Sequence, residues 1–205
     1  MTTLRCNPVA YGIAGRGNTS GFGSGLYDYI LAGNGLFLEA KRPELKTRMP
    51  ISACEVRGLP QLAPYCYLQT DKVSREVMEA ILFHAQEAAR DGLEQLYHLC
   101  WDGQTVRLEI PPQTQTAVSC KPLDDSLESS LARAIIEIHS HHSMTARFSA
   151  VDDADERGYR IYGVIGRVLD APEIRFRVGV YGYFWEIPAC WVCEDLPEDL
   201  EDCHD

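Results

Sequence analysis

Apolar and polar positions alternate in two different ways along this chain. In the first 70 residues the apolar runs are short and of strand period. Residues 27–31 and 36–39 flank Gly33-Asn34-Gly35, a spacing that predicts a β-hairpin, and residues 49–56 predict a further strand. From Ser74 the period lengthens. Ser74 can cap a helix with Glu76 in its first turn, Val77, Ile81, Ala85 and Ala88 recur at helical spacing, and Gly92 marks the stop. Residues 93–101 then read as a strand, Asp102-Gly103 as a two-residue turn, and Val106, Leu108 and Ile110 as the returning strand. Asp125 and Glu128 form a capping-box pattern ahead of Leu131 and Ile135, which predicts a second helix with Leu127 on its apolar side. Strands follow at 135–138, 159–168 and 174–185, the last with Ile174, Phe176, Val178, Val180 and Phe184 alternating.

Helices and strands in this order predict an α/β domain, a mixed β-sheet flanked by helices, behind a small β-rich N-terminal module. The expected division is a Gly-rich, β-rich module at 1–70, the α/β domain at 71–192 and an acidic tail at 193–205. Six glycines lie between Gly12 and Gly25. No Gly-Lys-Ser/Thr follows them and Ser20 breaks Gly-x-Gly-x-x-Gly, so a flexible loop is expected there and not a phosphate cradle.

Composition narrows the function classes. The chain has 205 residues, 30 acidic against 19 basic side chains, and a net charge of −11. That balance argues against a nucleic-acid binder or a polybasic membrane-surface protein. No apolar run approaches the ~18–20 residues of a membrane span, and the first residues lack the apolar core of a secretory signal. The expected location is therefore cytoplasmic. Seven carboxylates and no basic residue lie between Glu194 and Asp205, so much of the acidity belongs to a segment that reads as a solvated end. The eight cysteines need no disulfide framework at this length. Cys190-x2-Cys193 with Cys203-His204 invites a second, structural metal site, but packing or surface thiols are the plainer reading.

The chemistry concentrates in His139-Ser140-His141-His142, followed by Ser149 and Asp152. Two histidines one residue apart at a strand end face the same side, so both rings can reach one ion. A carboxylate returning on the next element, Asp152, can supply a third ligand. Two imidazoles and a carboxylate leave one position of a tetrahedral zinc free for water, as a hydrolytic site requires. Ser149-x-x-Asp152 is at the same time a capping-box pattern, and a helix start can aim both side chains at a neighbouring strand end. On composition alone, His-x-His-x7-Ser-x2-Asp arises about 0.0006 times by chance, so the spacing carries information.

This segment resembles the signature of the JAMM metalloprotease family, over roughly residues 71–190 in element order. The resemblance implies the JAMM/MPN-like, deaminase-like layered fold, with Zn²⁺ on His139, His141 and Asp152. It implies Glu94, just past the Gly92 stop, as catalytic base, with Glu109, Glu137 and Glu39 as the alternatives, and Ser149 as the group that stabilises the oxyanion. His142 stands where the family usually has Pro, which leaves the loop's rigidity open. The Gly-rich module followed by this domain is similar to the protein A family of the prokaryotic PRTRC cassette. That similarity implies a ubiquitin-like or carrier-type protein substrate and an activating-enzyme-like protein as a further partner. The competing expectations are a catalytically silent scaffold of the same fold and a zinc hydrolase of small amides.

Overall fold

The computed structural model describes residues 8–15 and 25–204 of the chain. Most of the expected glycine loop therefore lies outside the described residues. The structure divides into two compact units, one ending at Gln69 and the other beginning at Thr70.

The first unit is a five-stranded sheet in the order β1 (Val9–Ile13), β2 (Tyr27–Ala32), β3 (Gly35–Arg42), β4 (Leu45–Ala53) and β5 (Tyr65–Leu68). β1 and β2 run parallel and the other neighbours antiparallel. The β2–β3 hairpin forms at Gly33-Asn34 for a local reason. A side chain at Gly33 would put its Cβ 2.3 Å from the Leu59 carbonyl, and Gly33 N–H donates to Pro60 O at 2.8 Å. The Asn34 amide pairs both ways with the Leu62 backbone at 2.9 Å.

The second unit contains α1 (Arg75–Arg90), β6 (Leu96–Trp101), β7 (Val106–Glu109), β8 (Gln113–Gln115), β9 (Cys120–Pro122), α2 (Ser130–Arg133), β10 (Ala134–Ser140), α3 (Ala150–Asp155), β11 (Tyr159–Gly166), β12 (Glu173–Val180), β13 (Tyr183–Ile187), a 3-10 turn at Ala189–Trp191, and β14 (Glu201–Asp202). Its main sheet has the order β13-β12-β11-β10-β6-β7, with β14 beside β12, while β8 and β9 form a separate hairpin. β10 runs parallel to β11 and antiparallel to β6, so the sheet is mixed.

The two faces of this sheet differ. Tyr97, Leu99, Ile136, Ile138, Ile161, Phe176 and Val178 share one face and are all buried. Gly163 makes this face close-packed: a Cβ there would lie 2.9 Å from the Phe176 ring and 3.0 Å from Ile138. On the other face, the register aligns Glu109, His98, Glu137, Tyr162, Arg177 and Glu186 in one row across six strands. His139 lies two residues further along β10 on that polar face, because strand side chains alternate.

The sequence expectations need four corrections. The structure is mostly β with few helices, and α1 is the one long helix among the described residues, so the expected helix-flanked α/β layering holds only as a mixed sheet. The second helix shrinks to Ser130–Arg133 and is capped by Ser129, whose Oγ accepts from Ala132 N; the Asp125/Glu128 box does not form and Leu127 is 93% exposed. Asp and Ser side chains bond to nearby backbone instead, as in Ser126 N–H to Asp124 Oδ1 at 2.9 Å, and β10 claims the chain from Ala134. The run at 174–185 is two strands, because Tyr181 and Gly182 both take positive φ (49° and 93°) in a two-residue turn. The acidic end is not a solvated tail through Cys203. Val192, Cys193 and Leu200 are buried, and β14 adds to β12 through Glu201 N–H to Pro172 O and Cys203 N–H to Ile174 O. Backbone pairing at a sheet edge outweighs the charge pattern there.

Candidate metal centre

β10 carries His139 in its penultimate position, and the ladder continues one residue beyond the strand: His141 N–H donates to Ile165 O at 2.7 Å. Continued pairing keeps the chain extended, so both imidazoles emerge on the same side, with ring centroids 4.9 Å apart. The intervening Ser140 points the other way, fully buried, and its Oγ accepts from Gln95 N–H at 3.1 Å. Asp152 comes from the first turn of α3. Ser149 caps that helix, its Oγ accepting from Val151 N and Asp152 N, while Asp152 Oδ2 accepts from Ser149 N–H at 2.5 Å. One oxygen of Asp152 is thus committed to the cap and the other faces the histidines.

The distances fit one ion. His139 Nε2 lies 3.2 Å from His141 Nε2 and 3.4 Å from Asp152 Oδ1. Ligands of a tetrahedral zinc are separated by ~3.3 Å, from Zn–N bonds of ~2.0–2.1 Å. Among the described residues this is the one group of three such donors, and its atoms all lie within 4.8 Å of one another. The Thr145 carbonyl lies 3.2 Å from His141 Nδ1, so that nitrogen carries the proton and Nε2 presents its lone pair to the cluster. Burial pushes the His139 pKa down against the opposing pull of Asp152, which favours the neutral ring that can offer a lone pair to a metal.

Glu94 completes the cluster. α1 ends in a Schellman stop, with Leu93 N–H on Ala88 O, Gly92 N–H on Ala89 O and Gly92 at φ 69°, and this turns the chain towards the strand ends. The strand expected from residue 93 begins only at Leu96, because the Glu94 backbone is held by the β8–β9 hairpin: its N–H donates to Thr116 O and its carbonyl accepts from Gln115 Nε2, both at 2.9 Å. The side chain is 3% exposed. Its Oε1 lies 3.8 Å from His141 Nε2 and has no hydrogen-bond partner among the described residues. Burial pushes this carboxyl up to about 7, and the Asp152 charge adds in the same direction. A buried carboxylate oxygen without a partner, set beside three donors at ligand spacing, is an arrangement that a divalent cation and its water satisfy.

The other sequence candidates lie elsewhere or are occupied. Glu137 pairs with Arg160 at 3.0 Å, Glu109 makes two 2.9 Å bonds to Arg133, and Glu39 pairs with Arg48 at 2.8 Å in the first unit. His142 turns away, its Nε2–H donating to Ala117 O at 3.0 Å. Ser149 is exposed; its oxygen serves the helix cap, and its hydroxyl proton remains available to a ligand. The cysteines of the second-metal reading are not gathered: Cys193 is buried, Cys190 exposed, and Cys203 Sγ faces Glu173 Oε2 at 3.4 Å.

Glu94, His139 and Asp152 line a cleft of about 40 Å³ with Val118, Ser119 and Cys120. A larger cavity of about 420 Å³ adjoins it and shares Leu96, Cys120, Glu137 and Asp155. Sequence reasoning did not find Cys120 in this wall or the Thr145 and Thr116 carbonyls behind the ligands. A carbonyl has no residue-type signature, and a single cysteine has no spacing to read.

No family model and no curated protein matches the chain. Among solved structures it is similar to protein DSY2949 from Desulfitobacterium hafniense, determined in solution, at 22% identity and a TM-score of 0.41, over 63% of this chain and 94% of that one. Among the described residues, no helix is long and apolar enough to cross a membrane.

Proposed function

We propose that the chain is a zinc-dependent peptidase or isopeptidase of the JAMM type. It acts in the cytoplasm on an amide bond near the C-terminus of a ubiquitin-like or sulfur-carrier-like protein, with an activating-enzyme-like protein as a further partner. The observation that carries this reading is the unpartnered Glu94 Oε1 beside the three gathered donors of His139, His141 and Asp152.

His139, His141 and Asp152 would hold Zn²⁺, which when bound would supply Lewis acidity, bringing the pKa of water towards ~7 and polarising a carbonyl. Glu94 receives the proton of the attacking water at Oε1 and delivers it to the leaving amine, and burial, which raises this carboxyl, suits it to hold the proton between the two steps. The Ser149 hydroxyl donates to the oxygen on which negative charge develops, a contribution of ~3 kcal/mol for one donor.

The test is zinc analysis of purified protein together with a substrate panel. About one zinc per chain and cleavage of C-terminal ubiquitin-like fusions, but not of small amides, support the reading. A chain without zinc, or one that hydrolyses small amides alone, overturns it.

A further inference from the structure

Helix α3 supplies one of the three donors and yet buries none of its six residues. A helix this short does not persist in water by itself. Apolar packing of its own side chains therefore does not hold Asp152 at 3.4 Å from His139. The Ser149 capping box shapes the first turn, but it is internal to the segment and ties nothing to the sheet.

Two charged contacts tie α3 down: Lys121 on β9 reaches Asp155 Oδ2 at 2.8 Å between exposed side chains, and Arg177 on β12 makes the buried tie to the main sheet. Its Nη1 donates to Asp153 Oδ1 at 2.6 Å, and its Nε and Nη2 both donate to Glu156 Oε2, at 2.8 and 2.6 Å. Asp153 directly follows the ligand and Glu156 is the residue at which the helix ends. The guanidinium lies between two rings, 3.8 Å from the centroid of Phe148 and 3.7 Å from that of Phe184. Phe148 immediately precedes the cap and its ring meets His139 edge-on at 6.3 Å, while Phe184 sits on β13. One side chain, 5% exposed, thus grips the chain before, within and at the end of α3. A planar fork that stacks on both faces while donating along its edge is specific to arginine.

We propose that Arg177 is a positioning residue, the clamp by which β12 holds α3, and with it Asp152, in ligand register. Its meaning for metal binding rests on the function proposed above; the clamp itself does not need the metal.

Two measurements test it. In metal-free protein, Arg177→Gln is expected to raise amide hydrogen exchange over residues 150–156 at least about tenfold while β10 and β11 stay protected. Unchanged exchange in α3 overturns the clamp. In competition with a chromogenic chelator, folded Arg177→Gln is expected to bind zinc ~10–100-fold more weakly than wild type, the range for groups that orient ligands. Wild-type affinity overturns the positioning role, since a merely structural arginine lowers the melting temperature and leaves the affinity of the folded protein alone.

Arg177→Gln leaves Glu156 buried without its counter-charge and can fail to fold for that reason. Arg177→Met with Glu156→Gln removes both charges, keeps an apolar stem between the rings, and is judged by the same two measurements. Arg177→Lys is expected to restore only part of the affinity. Wild-type protein that binds no zinc sinks the metal-centre reading and leaves the clamp to be decided by exchange.

Discussion

Oε1 of Glu94 faces Nε2 of His141 across 3.8 Å, and neither atom belongs to an element that brings the other there locally. Glu94 arrives from the end of α1 and His141 from the end of β10, and the two segments are knitted by Ser140 N–H on Gln95 O at 2.9 Å. If the Glu94 carboxylate takes the proton of water, Glu94→Gln should retain zinc and lose turnover by about 10²–10⁴-fold. Because glutamine buries no charge, its melting temperature should equal or exceed that of wild type. Metal analysis, single-turnover kinetics and a thermal melt on one preparation check all three.

Removing a ligand separates binding from folding. Asp152→Ala and His139→Ala should each lose stoichiometric zinc. In wild type, zinc at a thousandfold excess over its dissociation constant should stabilise the fold by about 4 kcal/mol, and a chelator should remove that increment. The same melts on Asp152→Ala should show no response to zinc.

Gly166 tests the support behind His141. A Cβ there would lie 2.2 Å from Ala146 N and 2.4 Å from the Thr145 carbonyl carbon, both backbone atoms that cannot swing aside. Gly166→Ala should therefore displace the carbonyl that orients His141 Nδ1, costing about 1–3 kcal/mol of stability and about tenfold in zinc affinity. Gly163→Ala crowds only the Phe176 and Ile138 side chains, and should cost stability with zinc affinity unchanged. Titration calorimetry on the two variants distinguishes the cases.

His98 predicts an acid limit. The ring is fully buried, its Nδ1 2.7 Å from Ser130 Oγ, and burial pushes its pKa down to about 4. Its folded value lies below the unfolded value of ~6.5, so the neutral ring's contribution is complete above pH ~6.5 and is lost progressively as the pH falls towards 4. Between pH 7 and 5 the loss should be about 2 kcal/mol by this linkage. Urea unfolding of wild type and of His98→Gln, which carries no proton there, checks it as the difference between the two pH dependences, because the raised Glu94 carboxyl acts in the opposite direction over the same range.

Much of the candidate site was legible because its spacing is local: His139, His141, Ser149 and Asp152 lie within fourteen residues, and the structure gathers the two histidines and the aspartate. Glu94 was reachable from the Gly92 helix stop. What escaped was set by distant partners. The stretch before β10 has a helical apolar pattern, yet Leu127 points to solvent because Asp and Ser side chains take the nearby amides and β10 needs the residues that follow. Tyr181 hid a turn, since tyrosine seldom takes positive φ. The pairing of Glu201 and Asp202 with β12 depends on an open edge that no local pattern announces.

That last pairing also bears on how the molecule keeps to itself. β13 covers β12 only from Phe176 to Val180, and Glu173 and Ile174 would otherwise present bare amides and carbonyls to a strand from another molecule. β14 fills that gap with two acidic residues, in a segment whose charges repel a like copy. A sheet margin closed in this way gives edge-to-edge aggregation no purchase at Ile174.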